Sequence, residues 1–112
     1  EGIIPGGGIA LLDASEIITP DSAGETALLN AITAPFYTIL RNAGIDTIPK
    51  NRRVGFGLNV ITNKMVNMIE AGIIDPLLVT KSALRNAASV AVTILSTDCV
   101  INNLRVEDES NR

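Results

Sequence analysis

The 112-residue sequence has no histidine, no tryptophan and a single cysteine, and its aromatics are two phenylalanines and one tyrosine. Without histidine, a Ser-His-Asp triad, a Cys-His dyad and any His-bearing zinc site are excluded from chemistry within the chain. One thiol, Cys99, leaves no internal disulfide and no Cys-rich metal cluster, a usage that suits a reducing compartment. Basic excess is missing too: nine Lys and Arg against twelve Asp and Glu give a net charge of −3, which predicts no nucleic-acid partner. The longest strongly apolar stretch, residues 87–95, is far short of the ~20 residues that span a bilayer, so no membrane partner is predicted. Glu1 opens no basic-then-apolar leader pattern.

What is present is a small domain's worth of aliphatic residues. The apolar share is 46%, so the core must be built from Ile, Leu, Val and Ala. Residues 2–8 read as a glycine-rich loop that feeds a helix over residues 9–18, with Asp13 and Glu16 facing water and Pro20 as the stop. Ser22 and Glu25 have capping-box spacing ahead of a stripe of Leu28, Ala31, Ile32, Phe36, Ile39, Leu40 and Ala43, which Pro35 should kink or break near Ala34. Gly44 suits a C-terminal stop. Residues 45–53 read as irregular, ending in Lys50, Arg52 and Arg53, a solvated cluster by pattern. Residues 54–61 predict a small hairpin or two strand fragments. Residues 63–71 predict a short helix with Met65, Met68 and Ile69 inward, closed by Gly72. Asp75 as N-cap and Pro76 at the first helical position predict a helix over residues 76–96, rich in small residues. Cys99, Val100 and Ile101 have strand character, with Cys99 as a small buried hydrophobe, and the tail from Val106 should fray. The predicted fold class is mainly α, with a small β-hairpin and a C-terminal strand.

Three features carry possible chemistry, each with a plain structural alternative. Gly6-Gly7-Gly8 ahead of a helix can present backbone N–H groups to an anion, or pack closely on a neighbour. Asp75 can cap a helix or accept a hydrogen bond from a ribose hydroxyl. Asn59 can read a base edge or serve a turn. Asp13, Glu16 and Glu70 have no acid–base pairing by spacing.

Three stretches together resemble one family. Glu1-Gly2-Ile3-Ile4-Pro5-Gly6-Gly7-Gly8-Ile9-Ala10-Leu11-Leu12 is similar to the EGIVPGGGVALL segment of the group I, GroEL-type chaperonins. Asn67-Met68-Ile69-Glu70-Ala71-Gly72-Ile73-Ile74-Asp75-Pro76 is similar to their NMIDMGILDP segment. Val79-Thr80-Lys81-Ser82-Ala83-Leu84-Arg85-Asn86-Ala87-Ala88-Ser89-Val90-Ala91 is similar to VTRSALQNAASVA. The stretches occur in family order, and the likeness runs over residues 1–104.

The resemblance implies that residues 1–112 are the C-terminal half of a chaperonin equatorial domain, a fragment of a longer chain, with which the lack of a starting Met agrees. It implies an ATP-driven, ring-forming folding machine. Its partners would be other chaperonin subunits, plus unfolded proteins and a co-chaperonin bound by parts outside this chain. The setting would be bacterial cytoplasm or an organelle matrix, mitochondrial or plastid. Gly7 matches the glycine lying against the nucleotide, Asn59, Val60 and Ile61 the segment beside adenine, Ile73 an apolar wall for the base, and Asp75 the ribose carboxylate. Val60 and Ile61 are larger than the usual small residues, and residues 45–53 depart from the family pattern. The family's phosphate loop, Mg²⁺ ligand and water-positioning aspartate match nothing here. ATP and Mg²⁺ are therefore expected to act in the full-length protein, with no catalytic residue and no metal ligand in this chain and no ATPase activity of the chain alone. The alternative is a structural or interaction module that assembles but binds no nucleotide.

Overall fold

A computed structural model describes the backbone of residues 1–110 and the side chains of residues 1–97. In chain order the elements are β1 (Ile3–Pro5), α1 (Ile9–Ile17), α2 (Ala23–Ala31), α3 (Ala34–Asn42), β2 (Phe56–Asn59), β3 (Lys64–Asn67), β4 (Ile74–Pro76) and α4 (Leu77–Ser110). The chain is mostly helical, with two antiparallel two-stranded sheets, β1–β4 and β2–β3. It divides into two units, Glu1–Leu77 and the remainder from Leu78.

In the first unit local signals set the helix ends. Ser22 accepts a hydrogen bond from the Glu25 N–H at 3.1 Å, and the Glu25 carboxylate reaches back to the Asp21 N–H, one residue earlier than an ideal box. Pro35 separates α2 from α3 and sits in the first turn of α3, where a missing N–H breaks no ladder. The α3 helix closes on Gly44 at φ +73°, with Ile45 N–H donating to Leu40 C=O and Gly44 N–H to Arg41 C=O. Those paired bonds satisfy the last carbonyls and fold Ile45 onto the core.

The core is Ile9 and Leu12 from α1, Phe36 and Leu40 from α3, and Met68, with Ile45, Ile48, Leu58, Val66 and Ile73 packed around them. Only part of the α2–α3 stripe is buried. Ile32 is buried with Phe36 and Leu40, whereas Leu28 and Ile39 stay exposed and α2 buries no residue.

Several expectations are corrected. Residues 63–71 are not a helix. Asn63 turns the chain at φ +60°, and Lys64–Asn67 pairs with β2 in the register Phe56↔Asn67, Gly57↔Val66, Leu58↔Met65. The three- and four-residue spacing of Met65, Met68 and Ile69 mimics a helical face. The only helical turn there runs from Asn67 to Gly72, which closes it at φ +78° with Ile73 N–H donating to Met68 C=O. Asp75 is not an N-cap, because β4 pairs it with Ile4 and the helix begins at Leu77. Residues 3–5, read as loop, form the partner strand β1.

The helix α4 runs 34 residues, so Cys99, Val100 and Ile101 lie in helix and form no C-terminal strand. No Gly or Pro interrupts α4, and the helix penalty of β-branched residues is only tenths of a kcal/mol, roughly 0.5 each. The Cys99 side chain lies outside the described residues, as does the end of the tail beyond Ser110. Leu78, Val79, Val90, Val92, Ile94 and Leu95 of α4 are exposed. Among the described residues no helix is long and apolar enough to cross a membrane.

Candidate functional site

Three separate segments of the first unit converge on one apolar slot of about 290 Å³. The loop ahead of α1 supplies Gly7, the β2–β3 hairpin supplies Leu58, Asn59, Val60 and Ile61, and the segment before β4 supplies Ile73. The floor is Ile9, Phe36, Leu40 and Met68 of the core. Five of the six residues singled out in the sequence are thus brought together. Asp75 is not among the lining. It is exposed, two residues past Ile73, with its backbone paired to Ile4.

Close backbone approach explains the glycines. Gly7 and Gly8 both take the left-handed conformation, φ +67° and +78°, and Gly8 occupies the N-cap of α1. A Cβ at Gly8 would sit 2.7 Å from the Phe36 backbone nitrogen, and one at Gly7 would meet the Met68 methyl at 2.9 Å. The loop is therefore pressed onto α3 and Met68, and the packing alternative for the glycines is real. Of the loop amides, Gly6 N–H already donates to Ile73 C=O at 2.8 Å, which ties one slot wall to the other.

Asn59 serves a turn. Its Oδ1 accepts from the N–H groups of Ile61 (3.0 Å) and Thr62 (3.3 Å), holding the tight loop of residues 60–63. The amide oxygen is fixed by these two donors, so the carboxamide NH₂ is the group left to face a ligand. Val60 and Ile61 do not fill the slot. Ile61 is 91% exposed at the hairpin tip, and the volume behind it is open.

Sequence reading missed what holds the hairpin against α1. Asp13 and Glu16, expected in water, flank Arg52, expected in a solvated cluster. The Arg52 side chain is only 4% exposed. Its guanidinium donates to Asp13 Oδ1 at 2.6 Å, to Glu16 Oε2 at 2.8 Å and to the Phe56 carbonyl at 3.0 Å, while the other Asp13 oxygen accepts from Gly55 N–H at 2.9 Å. Burial pulls the Arg52 pKa down, but the hydrogen bonds and charges of Asp13 and Glu16 outweigh it and leave it above the ordinary arginine value. A separation of 39 residues hides this pair from any spacing rule. The one available signal is an acid on the apolar side of α1, at the position after Leu12.

Chemically the slot suits a flat apolar group. Its floor is aliphatic and aromatic, its loop wall has no Cβ at Gly7, and a carboxylate stands just beyond Ile73. Among the described residues no three His, Cys, Asp or Glu side chains gather as a metal site.

The model of the TCP-1/cpn60 chaperonin family matches residues 1–105. A chaperonin GroEL of Mycoplasmoides gallisepticum is 41% identical over 122 residues, an alignment that takes in 97% of this chain and 23% of the relative. The chain thus spans about a quarter of that relative's length, and the relative carries residues with no counterpart here.

Proposed function

The chain belongs to the TCP-1/cpn60 chaperonin family, and from that premise we propose that it is the C-terminal half of an equatorial domain and supplies one wall of an adenine-nucleotide site. The parent would be an ATP-dependent ring chaperonin that assists protein folding. The observation that carries the reading is the convergence of Gly7, Asn59, Val60, Ile61 and Ile73 on one slot.

On this reading the base enters the slot and is held by removal of apolar surface from water against Leu58, Phe36 and Ile73. The Asn59 NH₂ offers a donor to a ring nitrogen. Gly7 lets the chain run close to the sugar and first phosphate, and Asp75, outside the slot, accepts a hydrogen bond from a ribose hydroxyl. Bound Mg²⁺ and the phosphate clamps would supply charge stabilisation for phosphoryl transfer, and their ligands would come from the rest of the parent protein, as would the surfaces for unfolded substrates and a co-chaperonin. This chain contributes binding and positioning, together with contacts to neighbouring subunits.

Titration of ATP and ADP into the full-length protein tests the reading. Wild type should bind, and Asp75→Ala should bind about tenfold more weakly or worse, the loss of one hydrogen bond to a charged group. Since Asp75 is exposed, the variant should fold normally. No binding by wild type would favour the alternative of an assembling module without nucleotide.

A further inference from the structure

We propose that the Asp13–Arg52 ion pair is a latch that positions the hairpin wall of the slot and so sets its affinity for ligand. Asp13 lies on α1 and Arg52 in the segment that leads into β2, and both of those elements line the slot. Asp13 is on α1, whose first residue, Ile9, is fully buried in the slot floor. Arg52 holds the Phe56 carbonyl at the first residue of β2, the strand that delivers Leu58 and Asn59 to the slot. Both Asp13 oxygens are engaged, one by Arg52 and one by Gly55 N–H immediately before β2. The strand is thereby fastened to the helix by two side chains at one end.

The other contacts there are apolar. Leu58 and Val66 pack against the core that holds Ile9 and Leu12, and the bare backbone of Gly57 lies close to Ile9, where a Cβ would sit 2.6 Å from Ile9 Cδ1. Such packing fixes how near the strand can come but supplies no directional hold. The latch supplies it: a planar, charged fork engages two carboxylates and a carbonyl in fixed geometry. Arg53 lies over the Phe56 ring at 4.6 Å, a contact within the same segment that steadies the start of β2. Arg52 and Asp13 are not among the residues that line the slot, so they are positioning residues.

The role of the latch in affinity rests on the nucleotide reading above, whereas its role in holding the wall does not. The test is hydrogen exchange and ATP titration on the full-length protein, comparing wild type, Arg52→Met and Arg52→Lys. In Arg52→Met, exchange over β2 (Phe56–Asn59) should quicken about tenfold or more, as expected for loss of a charged hydrogen bond, while α3 (Ala34–Asn42) stays at the wild-type rate. Arg52→Lys keeps the charge but not the fork, and should fall between. Affinity for ATP should drop in the same order, with turnover at saturating ATP unchanged. If Arg52→Met does not fold, Glu16→Gln, altering the exposed member, gives the same comparison with a smaller rise. Equal quickening in β2 and α3, or none in β2, overturns the latch. So does wild-type ATP affinity in a variant whose β2 exchanges fast. If wild type itself binds no ATP, the nucleotide reading fails and the exchange comparison alone decides the latch.

Discussion

Gly8 and Gly7 are adjacent, share one backbone conformation and should respond differently to a methyl group. At Gly8 the obstacle is the Phe36 backbone, which cannot rotate away, and at Gly7 it is the end of a methionine side chain, which can. Both substitutions carry the left-handed penalty of about 1–2 kcal/mol. Gly8→Ala should therefore destabilise the Glu1–Leu77 unit clearly more than Gly7→Ala, by chemical denaturation of the two variants side by side. Removal of the buried Asp13 carboxylate strips Gly55 N–H and Arg52 of a partner together. Asp13→Ala should cost about 3 kcal/mol, in the range for breaking a buried pair, felt as local opening around Gly55 and β2 and read as faster amide exchange there. The sign of the Arg52 shift also fixes a pH window. A guanidinium whose folded pKa is raised contributes its full stabilisation below the ordinary arginine value and loses it only as pH climbs through the raised one. The arginine side of the latch thus stays charged across the neutral and mildly alkaline range.

At the scale of elements, α2 is the weakest part of the first unit. It buries no side chain, and its N-terminus is held by Ser22 and Glu25. Ser22→Ala should cost about 1 kcal/mol of helix stability and let α2 melt locally, read as fast amide exchange in α2 with α3 unchanged. The features legible in the sequence were of this local kind: the capping box, the break at Pro35 and the stop at Gly44 each depend on a few neighbouring residues. Features that needed a distant partner were not legible. The strand Lys64–Asn67 exists because β2 lies beside it, and its methionine spacing pointed to a helix instead. Asp75 was read as a cap because nothing near it announces that Ile4, 71 positions away, will claim its backbone. The slot was legible for another reason. Gly7, Asn59 to Ile61 and Ile73 were picked out by their resemblance to chaperonin segments, not by periodicity, and composition alone could not have joined them. The latch matched no such segment, and its residues looked like ordinary surface charges.

For the whole molecule the main physical fact is the surface of α4. Its apolar residues Leu78, Val79, Val90, Val92, Ile94 and Leu95 are exposed. Its hydroxyls turn inward along the helix, Ser89 to Arg85 C=O, Thr93 to Ser89 C=O and Ser96 to Val92 C=O, which removes polar groups from its surface. Apolar side chains left exposed along one helix in this number drive association. The 112-residue chain on its own should therefore self-associate, with a sedimentation coefficient that rises with concentration. A sharp, concentration-independent monomer would count against this. Whether the slot takes a nucleotide base is read by photolabelling the full-length protein with azido-adenine ATP. Labelling that unmodified ATP competes away, and that maps to Asn59, Val60, Ile61 or Ile73, is the expected result. Competed labelling confined to other parts of the protein, with none on these four residues, would contradict the account.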